Sequence, residues 1–210
     1  MALHRILLFD TITDGHHPDY LIHLISYYST HQEVELFVAT GESFKSQFDA
    51  RQKAEDNQWG ENVIFLGIPT DKINSIHSKP IYLRSFIEWN MLVDMAKKIN
   101  ASHALLMYFD YYQLGILIGK KAPCPVSAIY FRPNFSENDQ GIYPQIKKWM
   151  IAQVLKSGQI QNLFCLVNSL IPYLNELKTQ TNIIPICDPV KQFEVSNHEI
   201  TKFKNKFKIP

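Results

Sequence analysis

Short, continuous apolar runs of strand length alternate with longer amphipathic stretches along most of this chain. The runs are Arg5–Asp10, Val34–Ala39, Asn62–Gly67, Ala104–Phe109, Val126–Phe131, Leu163–Val167 and Ile183–Ile186. Between them lie stretches with apolar residues three and four apart. Pro18–His31 carries Tyr20, Leu21, Leu24, Ile25 and Tyr28, Ser43–Gln58 carries Phe44 and Phe48, and Tyr82–Asn100 carries Phe86, Trp89, Val93 and Ala96. Tyr111–Lys121, Tyr143–Lys156 and Ile171–Thr179 complete the helical set. Strands that alternate with helices pair in parallel, because each crossover helix returns the chain to the same end of the sheet. Strands that are apolar throughout, rather than at every second residue, are covered on both faces. The expected fold is therefore α/β: a single doubly wound, Rossmann-like domain of about seven mainly parallel strands with helices on both faces.

Composition excludes several alternatives. The 210 residues are 46% hydrophobic and 20% charged, enough for a sizeable core and too apolar for disorder. A net charge of +1 lacks the basic excess of a nucleic-acid binder. The three cysteines, Cys124, Cys165 and Cys187, are too scattered for a disulfide framework or a metal knuckle and read as small apolar fillers in a reducing cytosol. No run reaches the roughly 18 residues of a membrane span, and Met1–Arg5 has no leader layout, so a cytoplasmic location is expected. From Lys191 onward five Lys and two Glu leave a local charge of +3. Residues 1–190 read as the domain, and 191–210 as a basic tail, a linker or the start of a crossing to a further domain.

In a doubly wound sheet ligands bind at the carboxyl ends of the strands. Thr11-Ile-Thr-Asp-Gly-His-His-Pro-Asp19 follows the first strand and enters a helix. Gly15 allows close backbone approach, the helix start offers free N–H groups, and His16 and His17 add groups that titrate near neutrality. The plainer reading has Asp14 and Asp19 capping the helix with both histidines exposed. No GxGxxG is present, which argues against a nicotinamide cofactor. After the fourth strand, Asp110 can accept hydrogen bonds from hydroxyls, and Tyr111 and Tyr112 offer flat faces suited to sugar rings. The plainer reading of Asp110 is a helix cap. After the fifth strand, Arg132 can grip phosphate or carboxylate. Neither a Gly-x-Ser-x-Gly elbow nor a GxxxxGK[ST] loop occurs. Gln145–Lys156, with Lys147, Lys148 and Trp149, has the composition of a helix that lies on an anionic membrane, although packing of its apolar face on the sheet is the expectation.

The layout resembles the N-terminal domain of a GT-B glycosyltransferase of the retaining group 1 (family four) type. The stretch Asp14-Gly-His-His-Pro-Asp-Tyr-Leu-Ile-His-Leu24 is similar to that family's Gly-containing loop and helix. Asp110 keeps the acidic position of its His-Glu-Pro motif, with Phe109 in place of the His. Ile184-Pro-Ile-Cys-Asp-Pro-Val190 is similar to the Leu-Pro-Asp-Pro-Val that closes the domain. The resemblance implies transfer of a sugar from a nucleotide-sugar donor to a sugar or glycan acceptor, without metal or other cofactor. Gly15 and His16 would approach the diphosphate or transferred sugar. His17, Asp110, Tyr111 and Arg132 would line the acceptor side. A C-terminal domain in cis would hold the nucleotide, and the chain would be inactive or nearly so without it.

Two other readings stand beside this one. The chain could be a non-catalytic α/β domain that binds a sugar or a partner protein. His17-Pro-Asp19 also resembles the His-Pro-Asp-Asp-Glu motif of zinc-dependent N-acetylsugar deacetylases, with Tyr20 where that family has a ligand. A zinc site needs about three protein ligands, and no later partner motif is visible. No nucleic-acid partner is expected, and a peripheral membrane contact is left as an alternative.

Overall fold

The computed structural model describes residues 3–12, 15, 17–55, 60–131 and 141–187, with the side chains of 51–55 left aside. The elements run β1 (His4–Phe9), α1 (His17–Ser29), β2 (Val34–Gly41), α2 (Glu42–Glu55), β3 (Val63–Ile68), α3 (Thr70–His77), α4 (Ile81–Lys98), β4 (His103–Leu106), a 3-10 turn (Phe109–Tyr111), α5 (Gln113–Ile118), β5 (Val126–Tyr130), α6 (Ile142–Lys156), β6 (Ile160–Cys165), a second 3-10 turn (Asn168–Leu170), α7 (Ile171–Glu176) and β7 (Asn182–Pro185). The strands form one all-parallel sheet in the order β3-β2-β1-β4-β5-β6-β7. The doubly wound Rossmann-like fold is thus the observed one.

Side-chain alternation along the central strands explains why their sequences are apolar throughout. Leu7 and Phe9 of β1, Ala104 and Leu106 of β4, and Val126, Ala128 and Tyr130 of β5 pack on one side with Trp89, Leu92 and Ala96 of α4 and Ile151 and Leu155 of α6. Leu8, Leu105 and Ile129 point the other way, where Leu21 and Ile25 of α1 and Phe44 and Phe48 of α2 cover them. Each fully buried Leu, Ile or Phe contributes roughly 1.5–3 kcal/mol relative to exposure, so both faces must be covered for the sheet to persist.

Several local expectations are corrected. Residues 70–77 form helix α3, where the sequence reads as a loop, because only Ile73 and Ile76 mark its apolar side. The stretch after β4 is not strand to Phe109; the strand ends at Leu106 and the chain tightens into the 3-10 turn that carries Asp110. The helix beginning near Tyr111 is short, running Gln113–Ile118 and ending at Gly119. In α4, Trp89, Val93 and Ala96 are buried as expected, Phe86 is only half-buried, and Glu88 is fully enclosed instead. Of the cysteines, Cys165 is a buried filler, whereas Cys124 is half-buried and Cys187 exposed. Among the described residues no helix is long and apolar enough to cross a membrane.

Candidate functional site

The strand order reverses between β1 and β4. The chain leaves β1 toward α1 on one face and leaves β4 toward α5 on the other, so the two exits open a crevice at their carboxyl ends. Residues from both exits line it.

Asp10 follows β1 directly and is buried. Its Oδ1 accepts the Ile12 backbone N–H at 2.9 Å, and its Oδ2 lies 2.6 Å from His17 Nδ1. Burial pushes the Asp10 carboxyl upward from its ordinary range, against the opposing pull of His17 and the Ile12 N–H. An ionised carboxylate only accepts hydrogen bonds, so it selects the His17 tautomer protonated on Nδ1 and leaves Nε2 as the ring's other polar atom. His17 opens α1 and is itself buried, so it is not the exposed histidine of the capping reading. Gly15, just before it, adopts φ +64°, a left-handed conformation that favours glycine, with open space where a Cβ would stand.

An aromatic column continues from His17. Its ring stacks on Tyr108 with centroids 3.8 Å apart and planes within 9°. Tyr108 stacks in turn on Phe131 (4.3 Å) and on Tyr111 (5.9 Å), and Tyr20 meets Phe131 edge-on at 4.6 Å. The column crosses the ends of β1, β4 and β5, with Tyr108 and Tyr111 partly exposed.

Asp110 is buried in the 3-10 turn, and its Oδ2 accepts the Phe131 N–H at 3.2 Å, tying the exits of β4 and β5 together. It is less a free acceptor for ligand hydroxyls than the sequence implies. Tyr112 is also buried, so it offers no face to a ligand.

A second polar group, not foreseen in the sequence, closes the crevice floor. Thr11 Oγ1 donates to Glu88 Oε1 at 2.5 Å, Arg84 Nε donates to the same oxygen at 3.1 Å, and His77 Nε2 lies 3.3 Å from it. Glu88 is fully buried. Burial alone would push its carboxyl up, but His77, Arg84 and Thr11 together hold it below its ordinary value. Arg84 also lies over the Tyr111 ring, 5.9 Å from its centre, linking this group to the aromatic column. Arg84 and Glu88 are four apart on one helix face, a spacing visible in the sequence, but nothing there shows that the face turns inward.

Of the six expected site residues, Gly15, His17, Asp110 and Tyr111 lie at the β1 and β4 exits. His16 and Arg132 lie outside the described residues, as do Asp14 and the 188–210 segment. Among the described residues no three His, Cys, Asp or Glu side chains converge to hold a metal ion. His17 Nδ1 is already engaged by Asp10.

No family model matches the sequence, and no curated protein does. The fold does have a solved counterpart. The chain shares a glycosyltransferase-like fold. The glycosyltransferase from Rickettsia africae ESF-5 superposes over 100% of this chain with a TM-score of 0.53 and 14% sequence identity. The match takes in 51% of that protein, so the present chain spans about half its length.

Proposed function

We propose that the chain is the acceptor-side half of a glycosyltransferase that moves a sugar from a nucleotide-sugar donor with retention of configuration. The observation that carries this reading is the Asp10–His17 pair stacked on Tyr108 at the switch-point crevice. A buried carboxylate fixes the imidazole, and the adjoining aromatic rings supply flat apolar surface for a sugar ring. The likeness in fold to a glycosyltransferase supports the same class of reaction.

In this reading Gly15 brings the backbone before α1 close to the diphosphate of the donor, where helix N–H groups favour negative charge. His17 Nε2 hydrogen-bonds a hydroxyl at the reacting centre. Tyr108 and Tyr111 form the platform for the acceptor, and Asp110 keeps the platform in register with β5. His16 and Arg132 are assigned to the donor and acceptor sides by the family resemblance alone. In this reading a second domain in cis supplies the nucleotide-binding surface.

The test is a donor screen on the full-length gene product, followed by His17→Ala. Sugar transfer from a nucleotide sugar that drops on His17→Ala, while the variant keeps its unfolding midpoint, supports the reading. Sugar binding without transfer for any donor would replace it with the non-catalytic binding domain.

A further inference from the structure

Helix α6 is apolar on two opposite sides. Ile151, Val154 and Leu155 are buried in the core beside the sheet. Ile142, Tyr143, Ile146 and Trp149 instead face solvent, at 82%, 58%, 50% and 60% exposure. At 3.6 residues per turn these four share an arc of about 120°, roughly opposite the buried one. A helix that only packs on a sheet needs one apolar arc. The expectation that α6 spends its apolar face on the sheet is therefore only half met.

Along the helix itself, the charged residues flanking the second arc are lysines. Lys147 and Lys156 fall about 40° and 20° outside its two edges, whereas Lys148 falls on the side of the buried Leu155, and no Asp or Glu occurs from Gly141 to Asn175. Lys147 Nζ sits 5.8 Å over the Tyr143 ring, at the margin of the apolar arc. Trp and Tyr with flanking Lys suit the boundary between acyl chains and headgroups, where the rings bury their apolar bodies and the ammonium groups reach phosphates. A protein partner fits less well, because the cores of protein interfaces are depleted in Lys. A second copy would bring these lysines against each other.

We propose that the exposed face of α6 is a peripheral membrane contact for anionic bilayers, with Ile142, Tyr143, Ile146 and Trp149 seated at the headgroup boundary and Lys147 and Lys156, at its two margins, on the phosphates. A helix that follows a parallel strand starts at that strand's carboxyl end, so the contact lies at the same edge of the sheet as the crevice. A bound bilayer would therefore flank the crevice without covering the opposite edge.

The experiment uses the whole 210-residue chain with vesicles of phosphatidylcholine alone and of phosphatidylcholine with phosphatidylglycerol. The chain is expected to sediment with the anionic vesicles at least about tenfold more strongly than with the neutral ones, and Lys147→Glu with Lys156→Glu to remove that preference. Trp149 emission should shift to the blue on binding, and the shift should be absent in Trp149→Phe, which retains Trp59 and Trp89. Acrylamide quenching of tryptophan emission in the unaltered chain, with and without vesicles, reads the same contact independently of any variant that misfolds. A folded chain that stays in the supernatant with anionic vesicles overturns the proposal. So does a lipid-free dimer that already shields Trp149, which would assign the face to a second copy.

Discussion

Asp10 Oδ2 and His17 Nδ1 stand 2.6 Å apart, both buried, across the turn that joins β1 to α1. Asp10 has a separate oxygen for the Ile12 N–H, so the two ends of the turn are held by one carboxylate. Asp10→Asn cannot accept at both positions. If its amide oxygen keeps the Ile12 N–H, its NH2 group must donate to His17 Nδ1 and move the imidazole proton to Nε2. Ring ¹⁵N shifts of neutral His17 should report that exchange of tautomers. On the proposed transfer reaction, His17→Ala should lower kcat/KM by about 10²-fold. Asp10→Asn should lower it as well, with the His17 ring still in place. An Asp10→Asn enzyme with the parental tautomer and full activity would remove the pair from the mechanism.

Glu88 and Asp10 predict opposite dependences of stability on pH. The Glu88 carboxyl is lower in the folded chain than its ordinary value, so its contribution is present above that value and is lost as pH falls through the folded one. The Asp10 carboxyl is raised, so the folded chain holds its proton more tightly, and its contribution fades as pH rises through the folded value. Glu88→Gln should therefore flatten the fall in unfolding midpoint on the acid side. Asp10→Asn should flatten the loss on going from acid toward neutral pH. Glu88→Ala should be severe, by about 3 kcal/mol or more, because it strands Arg84 and Thr11 donors in a closed site. Midpoints measured from pH 4 to 8 for the three variants check the signs.

The fold is largely legible in the sequence because burial on both faces writes itself as unbroken apolar runs, as in Ile6-Leu-Leu-Phe9 and Val126–Tyr130. The position of the crevice follows from the same pattern, and with it the place of Gly15, His17 and Tyr111 at the strand exits. What was hidden depends on tertiary direction. Asp10 reads as the last residue of a strand until the turn brings His17 back to it. Glu88 reads as a solvated helix charge until α4 turns that face toward Thr11. α6 hides a second apolar arc, because a helical pattern records spacing and not which side meets the sheet.

Two glycines separate conformational from steric demand. Gly15 has φ +64° and open space around the missing Cβ, so Gly15→Ala should cost only about 1–2 kcal/mol, the cost of the left-handed conformation. Gly115 is different. Its N–H donates to Ser85 Oγ at 2.8 Å, and a Cβ there would run into the Ser85 backbone carbonyl of α4. Gly115→Ala must push α4 and α5 apart and should cost about 3 kcal/mol, at the upper end for overpacking. Urea unfolding of both variants decides this, and equal losses would contradict the close approach.

Asn62 is the last tie outside the crevice. Its Nδ2 reaches the carbonyl oxygens of Tyr28, His31 and Val34 at 2.9, 3.0 and 2.9 Å, pinning the end of α1 and the start of β2 to the start of β3. Asn62→Asp replaces this side-chain donor with an acceptor facing three carbonyls, of which those of Tyr28 and His31 keep only the backbone N–H of His31 and of Val34, whereas Asn62→Ala merely removes it. Asn62→Ala should lose about 1–3 kcal/mol, and Asn62→Asp should be the worse of the two at neutral pH, where the carboxylate repels those oxygens. Lowering the pH should narrow the gap between the two variants, because a protonated Asp regains one O–H donor. A gap that does not change from pH 7 to pH 4 would show that the three carbonyls do not depend on this donor.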